Sequence, residues 1–274
     1  MQRLVTDADQ RLESVLGSPG PVLLCLDYDG VLAPIVDDPA QAVIHPRARD
    51  VLLSVATLVH DIAVVTGRPA RQAVGLGRLD ELAADLAGRG CSLQVRGQYG
   101  AQRWTSAEGV VSAPVPAGLA GLEGELPILL SSAGATTAIV EHKGLALAVH
   151  TRRMDDPAGA LDRIRAVLQP AAERWGLIAE PGRYVLEFRA SGHDKGTAVR
   201  ELVAELAPAA VVFIGDDLGD IPAFEAVAEL RRGGLAGLLV CSASDEEGAL
   251  LELADIAVAG PDGVMELLAA LSRP

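Results

Sequence analysis

The stretch Val22-Leu23-Leu24-Cys25-Leu26-Asp27-Tyr28-Asp29-Gly30 decides the fold class of this 274-residue chain. Its five apolar residues predict a buried strand, and two carboxylates follow directly at the carboxyl end. Open α/β sheets bind their ligands at that end of the strands. Because side chains alternate along a strand, Asp27 and Asp29 point the same way if the strand continues. Two carboxylates at one place repel each other unless a proton or a cation separates them.

This pair of carboxylates has two interpretations. An Asp-x-Asp-Gly string is compatible with a simple turn, because Asp and Gly are ordinary turn residues. The alternative is a Mg²⁺ site, since this cation takes one or two protein carboxylates and keeps waters and a substrate phosphate. A second acidic cluster favours the metal, because the apolar run at 211–214 ends in Gly215-Asp216-Asp217-Leu218-Gly219-Asp220.

Two further polar clusters stand at similar places. The run at 62–65 ends in Thr66-Gly67-Arg68, and Lys195 opens the helical pattern before the second acidic cluster. Acid, hydroxyl and cation at strand ends and helix starts are the groups that hold Mg²⁺ and a phosphoryl group. Only two of the 23 basic residues are Lys, Lys143 and Lys195, so a position that keeps Lys here needs a compact ammonium. The alternative for Lys195 is a solvated charge at a helix start.

These groups predict a covalent route for phosphate ester hydrolysis, which is among the slowest of uncatalysed reactions. Asp27 is the candidate nucleophile that would form an aspartyl phosphate. Asp29 is the candidate general acid for the leaving oxygen and then the general base for water. Lys195 and the hydroxyl of Thr66 are the candidate partners of the transferring phosphoryl group.

Strands alternate with helices near both ends of the chain, which predicts a doubly wound parallel sheet. The predicted core is residues 1–104 with 189–274, because the acidic clusters come from both parts. Residues 105–188 read as an inserted α+β domain with a helix at 157–175. Its predicted strands lie at 136–141, 145–151, 177–179 and 183–188. The Pro-, Gly- and Ser-rich stretch at 112–124 predicts a loop within the insertion.

Composition narrows the class of protein further. The net charge of −14 argues against a nucleic-acid or anionic-membrane partner. Three cysteines, Cys25, Cys91 and Cys241, are too few and too dispersed for a disulfide framework or a zinc site. The first twenty residues are polar and charged, and no apolar run reaches the length of a membrane span. We therefore expect a cytoplasmic protein.

The insertion carries a second set of polar residues, placed at the ends of its predicted strands. With a period of two, three pairs of residues each share a face of the sheet. These pairs are Glu141 with Lys143, His150 with Arg152, and Glu187 with Arg189. Such a face suits a polyhydroxylated ligand, because each hydroxyl both donates and accepts hydrogen bonds. The alternative is an ordinary solvent-facing side of the sheet.

The order Asp-x-Asp, Thr, Lys, Gly-Asp-Asp-x-x-Asp resembles the haloacid dehalogenase-like (HAD) phosphohydrolases. A closer resemblance, from about residue 21 to 265, is to the trehalose-6-phosphate phosphatases. It rests on the strings Leu26-Asp27-Tyr28-Asp29-Gly30, Glu141-His142-Lys143-Gly144, Val185-Leu186-Glu187, Asp194-Lys195-Gly196 and Phe213-Ile214-Gly215-Asp216-Asp217. The implied fold is a HAD-like Rossmannoid core with an inserted α+β cap domain for substrate recognition.

The resemblance also implies roles for individual residues. Mg²⁺ is bound by the side chain of Asp27, the backbone carbonyl of Asp29 and Asp216. Asp217 and Asp220 are acids behind the metal that orient waters or Lys195. The residues implied in substrate binding lie in both parts of the chain. They are Gly67, Arg68, Glu141, Lys143, His150, Arg152, Glu187 and Arg189.

The expected function is therefore the Mg²⁺-dependent hydrolysis of trehalose 6-phosphate, a small-molecule sugar phosphate, in trehalose biosynthesis. A functional link to trehalose-6-phosphate synthase is implied in the same way. One departure from the family is Gln102, which stands where the family usually carries Glu. Two alternatives stay open at this stage. They are a phosphatase for sucrose phosphate, glucosylglycerol phosphate or mannosyl-glycerate phosphate, and a non-catalytic sugar-phosphate sensor.

Overall fold

A computed structural model describes residues 1–36, 38–243 and 248–272. The strands are β1 (Gln2–Arg3), β2 (Val22–Leu26), β3 (Asp61–Val65), β4 (Ser92–Gly97), β5 (Gln102–Thr105), β6 (Gly109–Ser112), β7 (Ile139–His142), β8 (Ala146–His150), β9 (Leu177–Gly182), β10 (Val185–Ala190), β11 (Ala210–Gly215), β12 (Ala236–Ser242) and β13 (Ile256–Val258). The α-helices are α1 (Ala8–Leu16), α2 (Ala48–Val55), α3 (Ala70–Gly77), α4 (Leu79–Ala87), α5 (Gly118–Ser132), α6 (Pro157–Arg174), α7 (Lys195–Leu206), α8 (Ile221–Arg232), α9 (Gly248–Leu251) and α10 (Gly260–Leu271). None of the helices among the described residues is long and apolar enough to cross a membrane.

The chain divides into two compact units, one of residues 1–112 with 193–274 and one of residues 113–192. The first unit contains a nine-stranded sheet in the order β1-β13-β12-β11-β2-β3-β4-β5-β6. Strands β13, β12, β11, β2, β3 and β4 run parallel, and β1, β5 and β6 are antiparallel at the edges. A parallel sheet must be covered on both faces, because its crossover helices lie there.

Alternate residues of β2 show that both faces of this sheet are covered. Leu24 and Leu26 belong to an apolar cluster with residues of α1, α2 and α10. Leu23 and Cys25 belong to a second cluster with residues of α7 and α8. All five residues of β2 are buried, as are all six of β11. The prediction of a doubly wound α/β core is therefore confirmed.

The boundaries between the units lie later in the chain than the sequence predicted. Strands β5 and β6 form a hairpin that extends the core sheet, and Trp104 on β5 is buried in the core cluster. The first unit thus continues to residue 112 rather than 104. At the other end, β10 pairs with β9 as far as Ala190, so the second unit runs to residue 192 rather than 188.

The second unit is an α+β layer around a four-stranded antiparallel sheet in the order β7-β8-β10-β9. Leu147, Val149, Leu186 and Phe188 project from one face of this sheet into an apolar cluster with residues of α5 and α6. The opposite face carries the polar residues of the same strands, because side chains alternate along a strand.

The predicted loop at 112–124 is wrong over its second half, where α5 begins at Gly118. The glycines there hide an apolar stripe of helical spacing, formed by Leu119, Leu122, Leu126 and Leu130. Two of the glycines lie against Trp175, and a Cβ at Gly118 would stand 2.1 Å from the Trp175 carbonyl oxygen. Close packing, rather than a turn, therefore explains the glycine content.

Candidate active site

The predicted catalytic residues meet at the carboxyl ends of β2, β3 and β11. Asp27 follows β2, Thr66 follows β3 and Asp216 follows β11, and these strands are parallel neighbours. The backbone N–H of Asp27 donates to the Ile214 carbonyl at 2.9 Å, which ties the first acid to β11. The sheet therefore brings together three residues that are 39 to 189 positions apart in the chain.

Lys195 is the first residue of α7, and Asp194 caps that helix by accepting from the Thr197 N–H at 2.6 Å. Its Nζ lies 2.7 Å from Asp27 Oδ2 and 2.7 Å from Asp220 Oδ1. All three side chains are almost completely buried. Burial lowers the pKa of Lys195, but the carboxylates of Asp220 and Asp27 outweigh it and raise that pKa well above its usual value. The ammonium therefore stays charged, and its burial excludes the alternative of a solvated charge at a helix start.

Four carboxylates form an acidic cluster beside this ammonium. One oxygen from each of Asp27, Asp216, Asp217 and Asp220 lies within 4.8 Å of the others. Asp220 Oδ2 accepts from the Asp216 N–H at 2.9 Å, so this acid also shapes the loop after β11. Burial, with Asp217 and Asp220 as like charges, raises the pKa of Asp216 to about 8. Burial and the neighbouring acids also raise the pKa of Asp27, against the effect of Lys195.

This acidic cluster fits a hard divalent cation. Its oxygen donors are the type such cations prefer, and one ammonium does not balance four carboxylates. Gly30 has a φ of +68°, and a Cβ there would lie 2.0 Å from Asp216 Oδ2. Only a residue without a side chain leaves the carboxylate of Asp216 room at this point.

The side chain of Asp29 lies outside this group and is bound by Arg68. Arg68 Nε and Nη2 donate to its two carboxylate oxygens at 2.6 and 2.7 Å. Arg68 also donates to the Pro39 carbonyl at 2.7 Å, and its guanidinium lies 5.2 Å from the centre of the Tyr28 ring. Bidentate pairing and stacking together fix an Arg side chain more firmly than either alone. The structure thus joins the predicted acid with a predicted substrate-binding residue.

Thr66 and Gly67 lie in a turn that packs against the segment after β4. Thr66 Oγ1 accepts from the Arg68 N–H at 3.1 Å. A Cβ at Gly67 would meet the Tyr99 ring at 2.8 Å, so glycine permits this contact. Gln98 and Tyr99 both adopt left-handed backbone angles, with φ of 46° and 59°. Such strain in two non-glycine residues is typical of backbone held at a functional site.

The predicted polar residues of the second unit share one face of its sheet. The register aligns Glu141, Ala148, Glu187 and Glu180 in one row across β7, β8, β10 and β9. His150 and Arg189 lie on the same face, two residues along their strands. Glu180 was not predicted, because its strand was expected to end at residue 179.

Ion pairs connect the residues of this polar face. Lys143 forms a close pair with Glu187, and Arg189 forms one with Glu180. His150 Nε2 lies 2.8 Å from Glu141 Oε2. Arg152 is exposed and lies two residues beyond the end of β8. Five of the six predicted residues of this unit therefore form one surface, and Arg152 lies outside the strands that carry it.

Comparison with known proteins decides the family. The profile of the trehalose-phosphatase family matches residues 25–251. The chain belongs to the trehalose-phosphatase family. "Probable trehalose-phosphate phosphatase H" of Arabidopsis thaliana is 30% identical over 257 residues, covering 90% of this chain and 70% of that protein. "Trehalose 6-phosphate phosphatase RA3" of Zea mays is 30% identical over 266 residues, covering 92% and 70%.

A solved structure supports the fold. The trehalose-6-phosphate phosphatase C-terminal domain of C. albicans superposes with a TM-score of 0.76 at 18% identity, covering 99% of this chain and 98% of that one. The predicted family and HAD-like fold are confirmed, and with them the prediction of a phosphatase.

Gln102, which departs from the pattern of trehalose-phosphatases, has a structural role here. Its Oε1 accepts from the Ala70 N–H at 2.8 Å, at the start of α3. The first N–H groups of a helix have no partner within the helix, and a side-chain oxygen satisfies one of them. The amide oxygen of Gln102 accepts this hydrogen bond as a Glu carboxylate would. The departure therefore concerns the support of α3.

Sequence reasoning missed Ser242 and the pairing of Asp29 with Arg68. Ser242 is completely buried at the end of β12, and its hydroxyl donates to the Gly30 carbonyl at 2.6 Å. A lone Ser 212 positions from its partner gives no local sequence signal. Arg68 was expected to bind substrate, but nothing in the sequence indicates that its partner in the protein is Asp29.

Proposed function

We propose that this trehalose-phosphatase family member is a Mg²⁺-dependent trehalose-6-phosphate phosphatase that acts through an aspartyl phosphate. The observation that carries the proposal is the buried cluster around Asp27. Its carboxylate lies 2.7 Å from the ammonium of Lys195 and within 4.8 Å of three further acids. A nucleophile, a cation and a metal-binding donor set at one place are the groups that phosphoryl transfer needs.

In the first half-reaction, a carboxylate oxygen of Asp27 attacks phosphorus. A bond forms between that oxygen and phosphorus, and the bond from phosphorus to the sugar oxygen breaks. Asp29 gives its proton to the leaving sugar oxygen, so the sugar departs as an alcohol. Because Arg68 engages both oxygens of Asp29, a phosphate ester that binds Arg68 competes for this guanidinium and releases the acid.

In the second half-reaction, water attacks phosphorus and gives a proton to Asp29. The bond between phosphorus and the Asp27 oxygen breaks, which regenerates the free carboxylate and releases phosphate. Lys195 and the Thr66 hydroxyl hold the phosphoryl oxygens throughout. Asp27, Asp216 and the Asp29 carbonyl are the proposed ligands of Mg²⁺, which supplies charge stabilisation for the transferring phosphoryl group when bound. Asp217 and Asp220 orient these groups from behind.

The polar face of the second unit is the proposed recognition surface for the sugar. Glu141, Lys143 and Glu187 are proposed to bind hydroxyls, with His150, Arg152 and Arg189 around them. The acids and bases there already pair with one another, so both signs of charge are present at fixed places. Sugar hydroxyls can replace these pairings, since each donates to a carboxylate and accepts from a cation.

The setting follows from the proposed chemistry. An enzyme that makes trehalose 6-phosphate, such as trehalose-6-phosphate synthase, has to supply the substrate, which is the basis of the proposed functional link. We place the protein in the cytoplasm, where Cys25 and Cys91 remain buried thiols.

A panel of sugar phosphates tests this function. Phosphate release from trehalose 6-phosphate, sucrose 6-phosphate, glucosylglycerol phosphate and mannosyl-glycerate phosphate is measured with Mg²⁺ and with a chelator. We expect the highest kcat/KM for trehalose 6-phosphate and no turnover with the chelator. If the protein preferred another sugar phosphate, that compound would be assigned as the substrate instead. If it bound a sugar phosphate without turnover, it would be assigned as a sensor.

A further inference from the structure

The turn between β2 and α2 is held by a residue from a distant strand. The Ser242 hydroxyl, at the end of β12, donates to the Gly30 carbonyl at 2.6 Å, and neither residue is accessible to solvent. Strand β11 lies between β12 and β2 in the sheet, so the turn after β2 reaches past the end of β11 to meet Ser242. We propose that Ser242 is a positioning residue that holds Asp29 in place for acid–base catalysis and metal binding. This inference rests on the proposed function.

The geometry of the turn shows what the bond controls. Leu32 and Ala33 donate their N–H groups to the Tyr28 carbonyl at 3.0 and 2.8 Å, which closes a tight turn from 28 to 33. Asp29 and Gly30 lie within that turn, between its closed ends. These two hydrogen bonds do not involve the Gly30 carbonyl, which accepts from Ser242 instead.

Ser242 also stands in register with the acidic cluster. Cys241 on β12 pairs with Gly215 on β11, and Ser242 and Asp216 are the next residues along the chain after the two members of this pair. The Gly30 backbone is packed against the Asp216 carboxylate, since a Cβ at Gly30 would lie 2.0 Å from Asp216 Oδ2. A shift of the Gly30 peptide therefore changes both the position of Asp29 and the space beside Asp216.

Asp27 is held independently of Ser242. Its N–H donates to Ile214 on β11, and its carboxylate contacts Lys195. Loss of the Ser242 hydroxyl should therefore spare the nucleophile and loosen the acid. A substrate with a poor leaving group, such as a sugar, depends on the acid, whereas nitrophenol leaves with little help from a proton.

Three variants at position 242 separate the hydrogen bond from side-chain volume. Ser242→Ala removes the donor, and Ser242→Cys keeps the size but offers only a weak donor. Ser242→Thr retains the hydroxyl. The matched control is Ser54→Ala, because Ser54 on α2 also donates to a backbone carbonyl, that of Val51 at 2.7 Å. We measure kcat on trehalose 6-phosphate and on p-nitrophenyl phosphate, and the binding of Mn²⁺ by electron paramagnetic resonance.

We expect Ser242→Ala and Ser242→Cys to lower kcat on trehalose 6-phosphate by roughly ten- to hundredfold, because small misplacements of a catalytic group are costly. Their kcat on p-nitrophenyl phosphate should fall less than threefold or so, and their Mn²⁺ dissociation constants should rise several-fold. Ser242→Thr and Ser54→Ala should resemble the wild type in all three measurements.

Two results would overturn the proposal. Equal losses on both substrates, or unchanged rates with unchanged Mn²⁺ affinity, would show that Ser242 serves only packing. If the wild type hydrolysed neither substrate, the proposed function would fail instead, and the Mn²⁺ measurement alone would still decide whether Ser242 supports the metal site. If Ser242→Ala did not fold, Ser242→Cys would give the same comparison.

Discussion

The covalent mechanism depends on the side-chain carboxylate of Asp27. Asp27→Asn keeps the size of the side chain but removes the nucleophile, so kcat should fall by roughly a thousandfold or more on every substrate. The fold should persist, because Lys195 keeps its contact with Asp220. Rates on trehalose 6-phosphate and p-nitrophenyl phosphate, together with circular dichroism, check both expectations. Turnover near the wild-type rate would exclude the aspartyl phosphate.

At the scale of single residues, the sequence was sufficient to predict side chains that directly follow a buried strand. Asp27, Thr66 and Asp216 each follow an apolar run directly, so the parallel sheet had to place them together. The contacts of Asp29 were not predictable in this way. Its partner Arg68 and the anchor Ser242 reach its turn through side chains, and neither contact leaves a pattern in the sequence.

The start of helix α3 supports the next prediction. Gln102→Ala removes the acceptor for the Ala70 N–H and should lower the free energy of unfolding by about 1 kcal/mol. Gln102→Glu restores the residue typical of the family and places a carboxylate at a helix start, where it is favourable. Its stability should equal or exceed that of the wild type. Urea unfolding of the three proteins checks this.

The same variants test whether Gln102 affects the choice of sugar. Since Gln102 supports α3, Gln102→Glu should leave the ranking of the sugar phosphates unchanged. A change in that ranking would show that position 102 takes part in recognition.

The polar face on β7, β8, β9 and β10 gives a prediction at the scale of a sheet. Glu141→Ala and Glu187→Ala should lower kcat/KM for trehalose 6-phosphate by roughly ten- to hundredfold, because polar groups of the bound sugar lose their partners. Hydrolysis of p-nitrophenyl phosphate, which has no sugar, should barely change. The matched control is Glu173→Ala on α6, since Glu173 is exposed on a helix of the same unit.

The outcome of this comparison separates recognition from stability. Equal losses on both substrates would show that the two acids only stabilise the second unit through Lys143 and His150. A loss confined to the sugar phosphate would support the assigned surface.

The elements that the sequence failed to predict have a common physical cause. The first part of helix α5 was taken for a loop because its glycines, two of which allow close approach to Trp175, look like turn residues. Strand β6 was assigned to the insertion because the sequence does not show which sheet an edge strand joins. Both depend on contacts with distant parts of the chain, whereas the buried strands β2 and β11 are evident from their own composition.

At the scale of the whole molecule, an acidic protein binds an anionic substrate. The net charge of −14 opposes the approach of a phosphate ester, and the buried acids add to this effect locally. Lys195 and Arg68 are each already paired with carboxylates. We therefore expect a divalent cation in the acidic cluster to make the site attractive to phosphate and to remove repulsion between these carboxylates.

The stability of the whole chain should consequently depend on pH in a way that Mg²⁺ changes. Without metal, the pKa of Asp216 is raised from 3.8 to about 8, so between these values the folded state binds more protons than the unfolded state. The contribution of this group to stability is present at low pH and is lost as the pH rises towards 8. Bound Mg²⁺ favours the ionised carboxylates, and it stabilises the folded state that holds it.

We therefore predict that the Tm measured with a chelator falls relative to the Tm with Mg²⁺ as the pH rises from 5 to 8, across the window set by Asp216. Subtracting the curve of Tm against pH with a chelator from the curve with Mg²⁺ cancels the contributions of groups that do not interact with the metal. Asp216→Asn removes both the titrating carboxyl and a proposed ligand, so the two curves should nearly coincide in that variant. Parallel curves in the wild type would mean that the acidic cluster does not bind the metal, since binding must displace the proton that keeps Asp216 neutral.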